Sequence, residues 1–375
     1  MAPRKITVWA LSAAVATLGA CSAGGPVRTA AVSAGRPTLS PSSLDSASRF
    51  TGSGKGHLAA GSDPSVLPRP VLIADEGNNR LVIVDPRGRV AWTFPRPGDL
   101  PPGVEFKAPD DAFFTPDGRQ IIVTEEEYSV VSLVDITTHK LVWRYGTPGR
   151  PGAGPGRLSN PDDALMLPHG AVLTADIKNC RLLLIDRGAR APRRTYGTPG
   201  VCRHDPPTSY GLPNGAFPMR NGHYLVTEIT GDWVDEVDLS GRLYAALHPP
   251  GVRYPSDSNE VSPGTYLTVD YSSPGQVETF DRAGSLRWRY RPTGAQALDH
   301  PSLAFPLPNG MVLATDDHND RIIVIDPRTN RIVWQYGLRA HPGAAPGLLN
   351  GPDGLDLAPP NSDLVVHART MSQAH

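Results

Sequence analysis

Val172-Leu173-Thr174-Ala175-Asp176 is a short β-branched, apolar run closed by an acid, and it recurs along the chain. Its counterparts are Val71-Leu72-Ile73-Ala74-Asp75, Ile121-Ile122-Val123-Thr124-Glu125, Tyr224-Leu225-Val226-Thr227-Glu228, Tyr266-Leu267-Thr268-Val269-Asp270 and Val312-Leu313-Ala314-Thr315-Asp316. A second acid follows each of them, at Asp85, Asp135, Asp186, Asp238, Asp281 and Asp326. These second acids lie roughly 43–52 residues apart, and each ends another apolar run and opens a turn such as Asp85-Pro86-Arg87-Gly88.

Each unit carries two further strands. The last is typified by Val90-Ala91-Trp92-Thr93-Phe94, Val142-Trp143-Arg144-Tyr145, Leu286-Arg287-Trp288-Arg289-Tyr290 and Val333-Trp334-Gln335-Tyr336. The first is typified by Asp163-Ala164-Leu165-Met166-Leu167 running into Pro168-His169-Gly170. Four short strands to a unit, separated by Pro/Gly turns, predict an all-β fold: a six-bladed β-propeller over residues 67–375. The first unit lacks its opening strand, and Gly351-Pro352-Asp353-Gly354-Leu355-Asp356-Leu357 supplies a spare one. Pairing of these N- and C-terminal strands would close the ring and remove an exposed edge. Asp363-Leu364-Val365-Val366-His367 reads as one strand more, which leaves a seven-bladed ring as the alternative.

The ends of the chain read differently. Arg4 and Lys5 precede an apolar stretch from Ile6 to Leu18, shorter than the roughly 20 residues of a spanning helix. Residues 1–20 are expected to be a signal peptide. Leu18-Gly19-Ala20-Cys21 resembles the lipobox of bacterial lipoproteins, which implies that Cys21 becomes a lipid-modified first residue; an ordinary signal peptide is the alternative. Residues 21–66 are rich in Ser, Gly, Ala, Thr and Pro and read as a flexible tether. The expected location is the extracytoplasmic face of the cell membrane, held by the lipid anchor only.

The net charge of −1 and the absence of a basic stripe exclude nucleic acid as an expected partner. In an exported chain, Cys180 and Cys202 are a candidate disulfide.

Asp75-Glu76-Gly77-Asn78-Asn79-Arg80-Leu81, Ala175-Asp176-Ile177-Lys178-Asn179-Cys180-Arg181-Leu182 and Asp316-Asp317-His318-Asn319-Asp320-Arg321-Ile322 resemble the NHL repeat. The Trp-bearing last strands look more like PQQ-binding-like and arylsulfotransferase-type propellers. The second, fourth and fifth units depart from the Asn-x-Arg pattern. The resemblance implies the fold; such propellers include enzymes, sensors and binding scaffolds.

Strand direction alternates within a blade, so the first set of acids and the pairs Asp110-Asp111 and Asp162-Asp163 are expected on one face, near the channel mouth. An acidic rim there is a candidate Ca²⁺ site. The repeated Asp75/Arg80, Asp176/Arg181 and Asp316/Arg321 pairing points instead to bonds internal to each blade, and the Trp residues to packing between blades. Positions that break the repeat are better functional candidates: His204, Asp205 and Tyr210 in one crossover, Tyr254, Asp257 and Asn259 in the next, then Asp299, His300, Asp317 and His318. No nucleophile elbow, phosphate loop or His-Glu-x-x-His helix is present in the sequence. The expected role is binding of a small-molecule ligand or protein partner at the channel mouth, without catalysis. The alternative is an arylsulfotransferase-, hydrolase- or lyase-type enzyme.

Overall fold

In a computed structural model, residues 56–360 are described. They form six four-stranded antiparallel sheets, the blades of a six-bladed β-propeller. Among the described residues the helical segments are short 3-10 turns.

The second strand of a blade lies between two neighbouring blades, so both its faces are covered. Val71–Asp75, Val172–Asp176, Tyr224–Glu228 and Val312–Asp316 are accordingly buried at every position. This is why they read as unbroken apolar runs rather than alternating ones. Outer strands such as Lys140–Gly146 keep one face in solvent, and their burial alternates.

The ring closes as its two ends suggest. Pro352–Leu357 pairs antiparallel with Val71–Asp75, with Val71 opposite Leu357 and Ile73 opposite Leu355. The second acids are turn residues: the Asp85 carboxylate accepts from the Arg87 and Arg89 amides, and Asp281 from Ala283 and Ser285, all at 2.9 Å. The outer tryptophans tie blades together. Trp92 Nε1 donates to the Ile136 carbonyl at 3.0 Å and Trp334 Nε1 to Pro86 at 2.8 Å, each across a blade boundary.

Residues 56–66, placed in the tether by composition, are laid along the outer strand of the sixth blade. The Ala59 amide donates to Gln335 O at 3.1 Å and Asp63 N to Val333 O at 2.8 Å. Cys21, the signal segment, the rest of the tether and the strand expected at Asp363–His367 lie outside the described residues.

Cys180 and Cys202 form a disulfide that fixes the crossover between the third and fourth blades. The bond closes a loop of sequence separation 22. Replacing both cysteines by Ser is expected to cost about 3 kcal/mol in chemical denaturation. A loss below about 0.5 kcal/mol would contradict a role in holding this crossover.

Candidate functional site

Every inner strand reaches the channel by the same local device. It opens on or just after a proline: Pro109, Pro161, Pro213, Pro255, Pro301 or Pro352. The residue before the proline is left-handed in four non-glycine cases, with φ of 42° at Ala108, 51° at Asn160, 59° at Leu212 and 56° at His300. A register shift follows the proline in the strands from Pro109, Pro161, Pro213 and Pro255. A bulge of this kind re-aims side chains, here turning two successive residues toward the axis. Threonine hydroxyls of the second strands satisfy the disturbed backbone: Thr174 and Thr268 donate to the carbonyls of Asp163 and Asp257 at 2.9 Å.

The first set of acids serves this device. Asp75 accepts from Asn350 N, Glu125 from Lys107 N, Asp176 from Ser159 N, Glu228 from Gly211 N, Asp270 from Tyr254 N and Asp316 from Asp299 N. Each therefore pins the crossover that delivers an inner strand. In three blades an Asn and an Arg complete the latch: Arg181 Nε meets Asp176 at 2.7 Å and Asn179 Nδ2 meets it at 2.8 Å. Asp75/Asn78/Arg80 and Asp316/Asn319/Arg321 repeat it. Asp75, Glu125, Asp176 and Asp316, which also pair with arginine, are structural.

The two residues after each proline form two tiers. The upper tier is Asp110, Asp162, Asn214, Ser256, Ser302 and Asp353, joined side by side. Asp110 meets both Asp162 and Asp353, Asn214 Nδ2 donates to Ser256 Oγ at 3.1 Å, and Ser256 and Ser302 hydroxyls are 3.4 Å apart. The lower tier is Asp111, Asp163, Gly215, Asp257, Leu303 and Gly354. Asp111, Asp163 and Asp257 are at most 2 % exposed, and their carboxyls meet only other carboxyls, Asp163 with Asp257 and Asp111 with Asp162, with no amide, hydroxyl or cationic donor of the chain on them. One oxygen from each lies within 4.8 Å of the others.

Glycine makes that convergence sterically feasible. A Cβ at Gly215 would collide with the carboxylates of Asp163 and Asp257, and one at Gly354 would sit 2.6 Å from Asp111 Cα. Below the tiers, Phe113, Phe217 and Phe305 from alternate blades meet edge to face, with centroids 5.5, 5.6 and 6.4 Å apart. Above them the upper tier, with Glu126, Tyr254 and Tyr271, lines a small cup of about 60 Å³, and the lower tier lies buried between the cup and the phenylalanines.

The cup's rim is polar and aromatic. The Tyr271 hydroxyl donates to Asp317 at 3.0 Å, and Asn160 Nδ2 to Glu126 at 2.7 Å. Tyr254 packs on Tyr271 at 5.2 Å, Tyr271 on His300 at 4.8 Å, and His300 on His318 at 4.0 Å. His300 Nδ1 lies 2.7 Å from Asp299 Oδ1.

Burial first, and then mutual repulsion, pushes the carboxyls of Asp110, Asp111, Asp162, Asp163 and Asp317 well up. Burial lifts Asp257 to about 7, Glu126 to about 7 and Glu76 to about 8. Without a cation the folded chain keeps protons that the unfolded chain releases near pH 4, so stability falls as pH rises through about 5 to 8. Thermal unfolding in chelator is expected to show Tm declining across that range. A flat or rising profile would show that the carboxyls are not desolvated as the cup implies.

An all-oxygen donor set with several carboxylates suits a hard cation such as Ca²⁺, which takes six to eight oxygens at about 2.3–2.6 Å. Oxygens bound to one such ion are at most about 5 Å apart, which the lower tier satisfies. The candidate Ca²⁺ site expected at the mouth is thus best matched deeper, on Asp111, Asp163 and Asp257.

The sequence candidates separate into three groups. Asp110 and Asp162 line the cup, Asp111, Asp163 and Asp257 converge beneath it, and Tyr254, Asp299, His300, Asp317 and His318 meet at its rim. The remainder is elsewhere. Tyr210 is buried among Tyr196, Tyr224 and Val226 between blades, and Asn259 ties its strand to Ala304 O at 3.0 Å. Asp205 closes a backbone turn with Ser209 on the surface, and His204 points into its own blade, 2.9 Å from Glu228. Asp353, Glu76, Glu126 and Tyr271 are site residues that the sequence reading did not single out. The recurring Pro-x-x at the head of each inner strand was the signal for Asp353.

No protein-family model matches this chain, and no curated protein matches it. Solved structures do. A protein of unknown function from Bacteroides caccae is 17% identical, with a TM-score of 0.53 over 77% of this chain and 98% of that one. A chain of the nidogen/laminin complex is 13% identical, with a TM-score of 0.52 over 78% of this chain and 99% of that one. Virginiamycin B lyase from Staphylococcus aureus aligns over 60% of this chain at 13% identity and a TM-score of 0.43, which carries no argument about activity. Together fold and site define a class: a six-bladed propeller with an acidic, floored channel.

Proposed function

We propose that this protein is an extracytoplasmic, lipid-anchored propeller that holds a divalent cation in its channel and binds an oxygen-rich, anionic small ligand over it, without catalysis. The observation that carries the reading is the lower tier: three buried aspartates whose oxygens converge with only carboxyls for partners. Three buried carboxylates left ionised and uncompensated would cost far more than a fold of marginal stability can offset, so each holds a proton or shares a cation. A cation on the lower tier lets the three carboxyls ionise and sits directly beneath the upper tier that lines the cup. The rim then supplies what a ligand needs, with Tyr254, Tyr271 and His300 as stacking and hydrogen-bonding surfaces around the opening.

Native mass spectrometry of the mature domain, purified gently from its own envelope, tests this. The wild type should carry a cation and a small-molecule mass. Tyr254→Ala with His300→Ala should lose the small molecule, keep the cation and unfold within about 2 °C of wild type. Retention of the small molecule by that variant, or a wild type that carries only a protein chain, would overturn ligand binding at the rim.

One observation favours an enzymatic second reading. The Asp299–His300 pair leaves His300 Nε2 for a substrate, the arrangement of an oriented general base beside a Lewis-acidic ion. Turnover of aryl sulfate esters or lactones, lost in His300→Ala while cation binding persists, would establish it. No turnover across that panel would leave the binding role.

A further inference from the structure

The fourth blade departs from the others in how it balances charge. In the first, third and sixth blades an Arg stands directly across from the strand-two acid: Arg80 opposite Asp75, Arg181 opposite Asp176 and Arg321 opposite Asp316. Each pair is 2.6–2.7 Å apart. In the second blade the Arg comes from the outer strand instead, as Arg144 on Glu125 at 2.7 Å; in the fifth the strand-two acid Asp270 takes backbone amides and the outer-strand Arg289 meets a third-strand acid, Glu278, at 2.8 Å. The fourth blade has neither. Trp233 stands opposite Glu228, and Ala246 occupies the outer-strand position that Arg144 and Arg289 hold.

Besides Glu236, which His223 and Arg282 pair, that blade nevertheless buries two acids. Glu228 and Asp235 are both 0 % exposed, and the Asp235 carboxyl meets that of Glu228 with no amide or hydroxyl donor of the chain on it. One side chain with a nitrogen donor reaches them: His204, delivered by the crossover that the Cys180–Cys202 disulfide pins. Its Nδ1 lies 2.9 Å from Glu228 Oε1 and 3.5 Å from Asp235 Oδ2. Its ring is held flat against Trp233, at 4.0 Å and 12°. The three donor atoms all lie within 4.8 Å of one another, and the His204 side chain is 21 % exposed, which leaves a path to solvent.

We propose that His204, Glu228 and Asp235 form a second metal site, for a borderline transition ion such as Zn²⁺, chemically distinct from the oxygen-lined cup. Imidazole nitrogen and carboxylate oxygen both ligate such an ion, and three protein ligands leave the fourth position open to water or a substrate atom. A neutral imidazole with two carboxylates also cancels the charge of one divalent ion, the balance that Arg provides elsewhere. The channel cup offers no nitrogen donor in its lower tier and favours hard cations, so each site selects its own ion.

The test is metal analysis of the disulfide-intact mature domain after dialysis against micromolar ZnSO₄ with millimolar CaCl₂, the calcium being present to occupy the oxygen sites. Wild type should retain one Zn²⁺ per chain. His204→Ala, a partly exposed loop substitution, and Asp235→Asn should each weaken retention at least 100-fold. Asp111→Asn/Asp163→Asn/Asp257→Asn should leave the Zn²⁺ equivalent in place, which separates this site from the cup. Absence of Zn²⁺ from wild type, or Zn²⁺ that survives both single substitutions, would overturn the proposal and make the pair a proton-sharing carboxyl–carboxylate contact.

Discussion

Replacing Asp111, Asp163 and Asp257 together by Asn should lower Ca²⁺ affinity by at least about 1000-fold and raise the metal-free Tm at pH 7.5. The first effect follows from ligand charge: oxygen sites move from tight to millimolar binding as carboxylates are withdrawn. The second follows from burial. These carboxyls lie at most 2 % exposed with only other carboxyls for partners, so ionising them in the metal-free fold is unfavourable. Asn keeps the size and removes that penalty, at a gain on the order of 5 °C for a chain of this length. The pairing of opposite effects is diagnostic. A set of carboxylates that merely supported the fold would lower Tm when removed. A calcium titration and a melting curve on the same preparation decide between them, and retained affinity or a lower metal-free Tm would contradict the cup.

The second large effect lies in residues with no side chain. Gly215→Ala places a methyl group against the carboxylates of Asp163 and Asp257, which are the free ends of side chains and can swing aside. The fold should survive that change while cation affinity falls by about 100-fold or more. Gly354→Ala meets backbone instead, at 2.6 Å from Asp111 Cα and 2.7 Å from Asp110 O. There the first and second blades must part, and about 1–3 kcal/mol of stability should be lost, as for other overpacked interiors. Urea denaturation and calcium titration of both variants check this contrast. Equal behaviour of the two glycines would contradict the interdigitated geometry of the lower tier.

The blades were readable because each second strand is covered on both faces and must repeat an apolar run, as Val172–Asp176 does. Ring closure was readable because Pro352–Leu357 is a strand without a blade of its own. The site was only half readable. Asp110-Asp111 and Asp162-Asp163 stand out as doublets, but Asp353 was absorbed by its role in closing the ring. Gly215 and Gly354 act through a missing Cβ, which leaves no chemical signature. Phe113, Phe217 and Phe305 come from alternate blades, and nothing local marks them as a floor. His204 was grouped with the rim because crossover length does not reveal where a loop residue points. Its true setting depends on Trp233 and Ala246 standing where other blades have Arg, a relation between blades rather than within one.

Calorimetric titration of the chelator-stripped mature domain with CaCl₂ at pH 7.5 is the most direct test of the channel site. The expected result is one saturable equivalent with Kd at or below about 10 µM, accompanied by release of protons from the buried carboxyls. No heat and no change in Tm with 10 mM (an order-of-magnitude excess) CaCl₂, MgCl₂ or MnCl₂ would contradict it, and would mean that protons alone neutralise Asp111, Asp163 and Asp257.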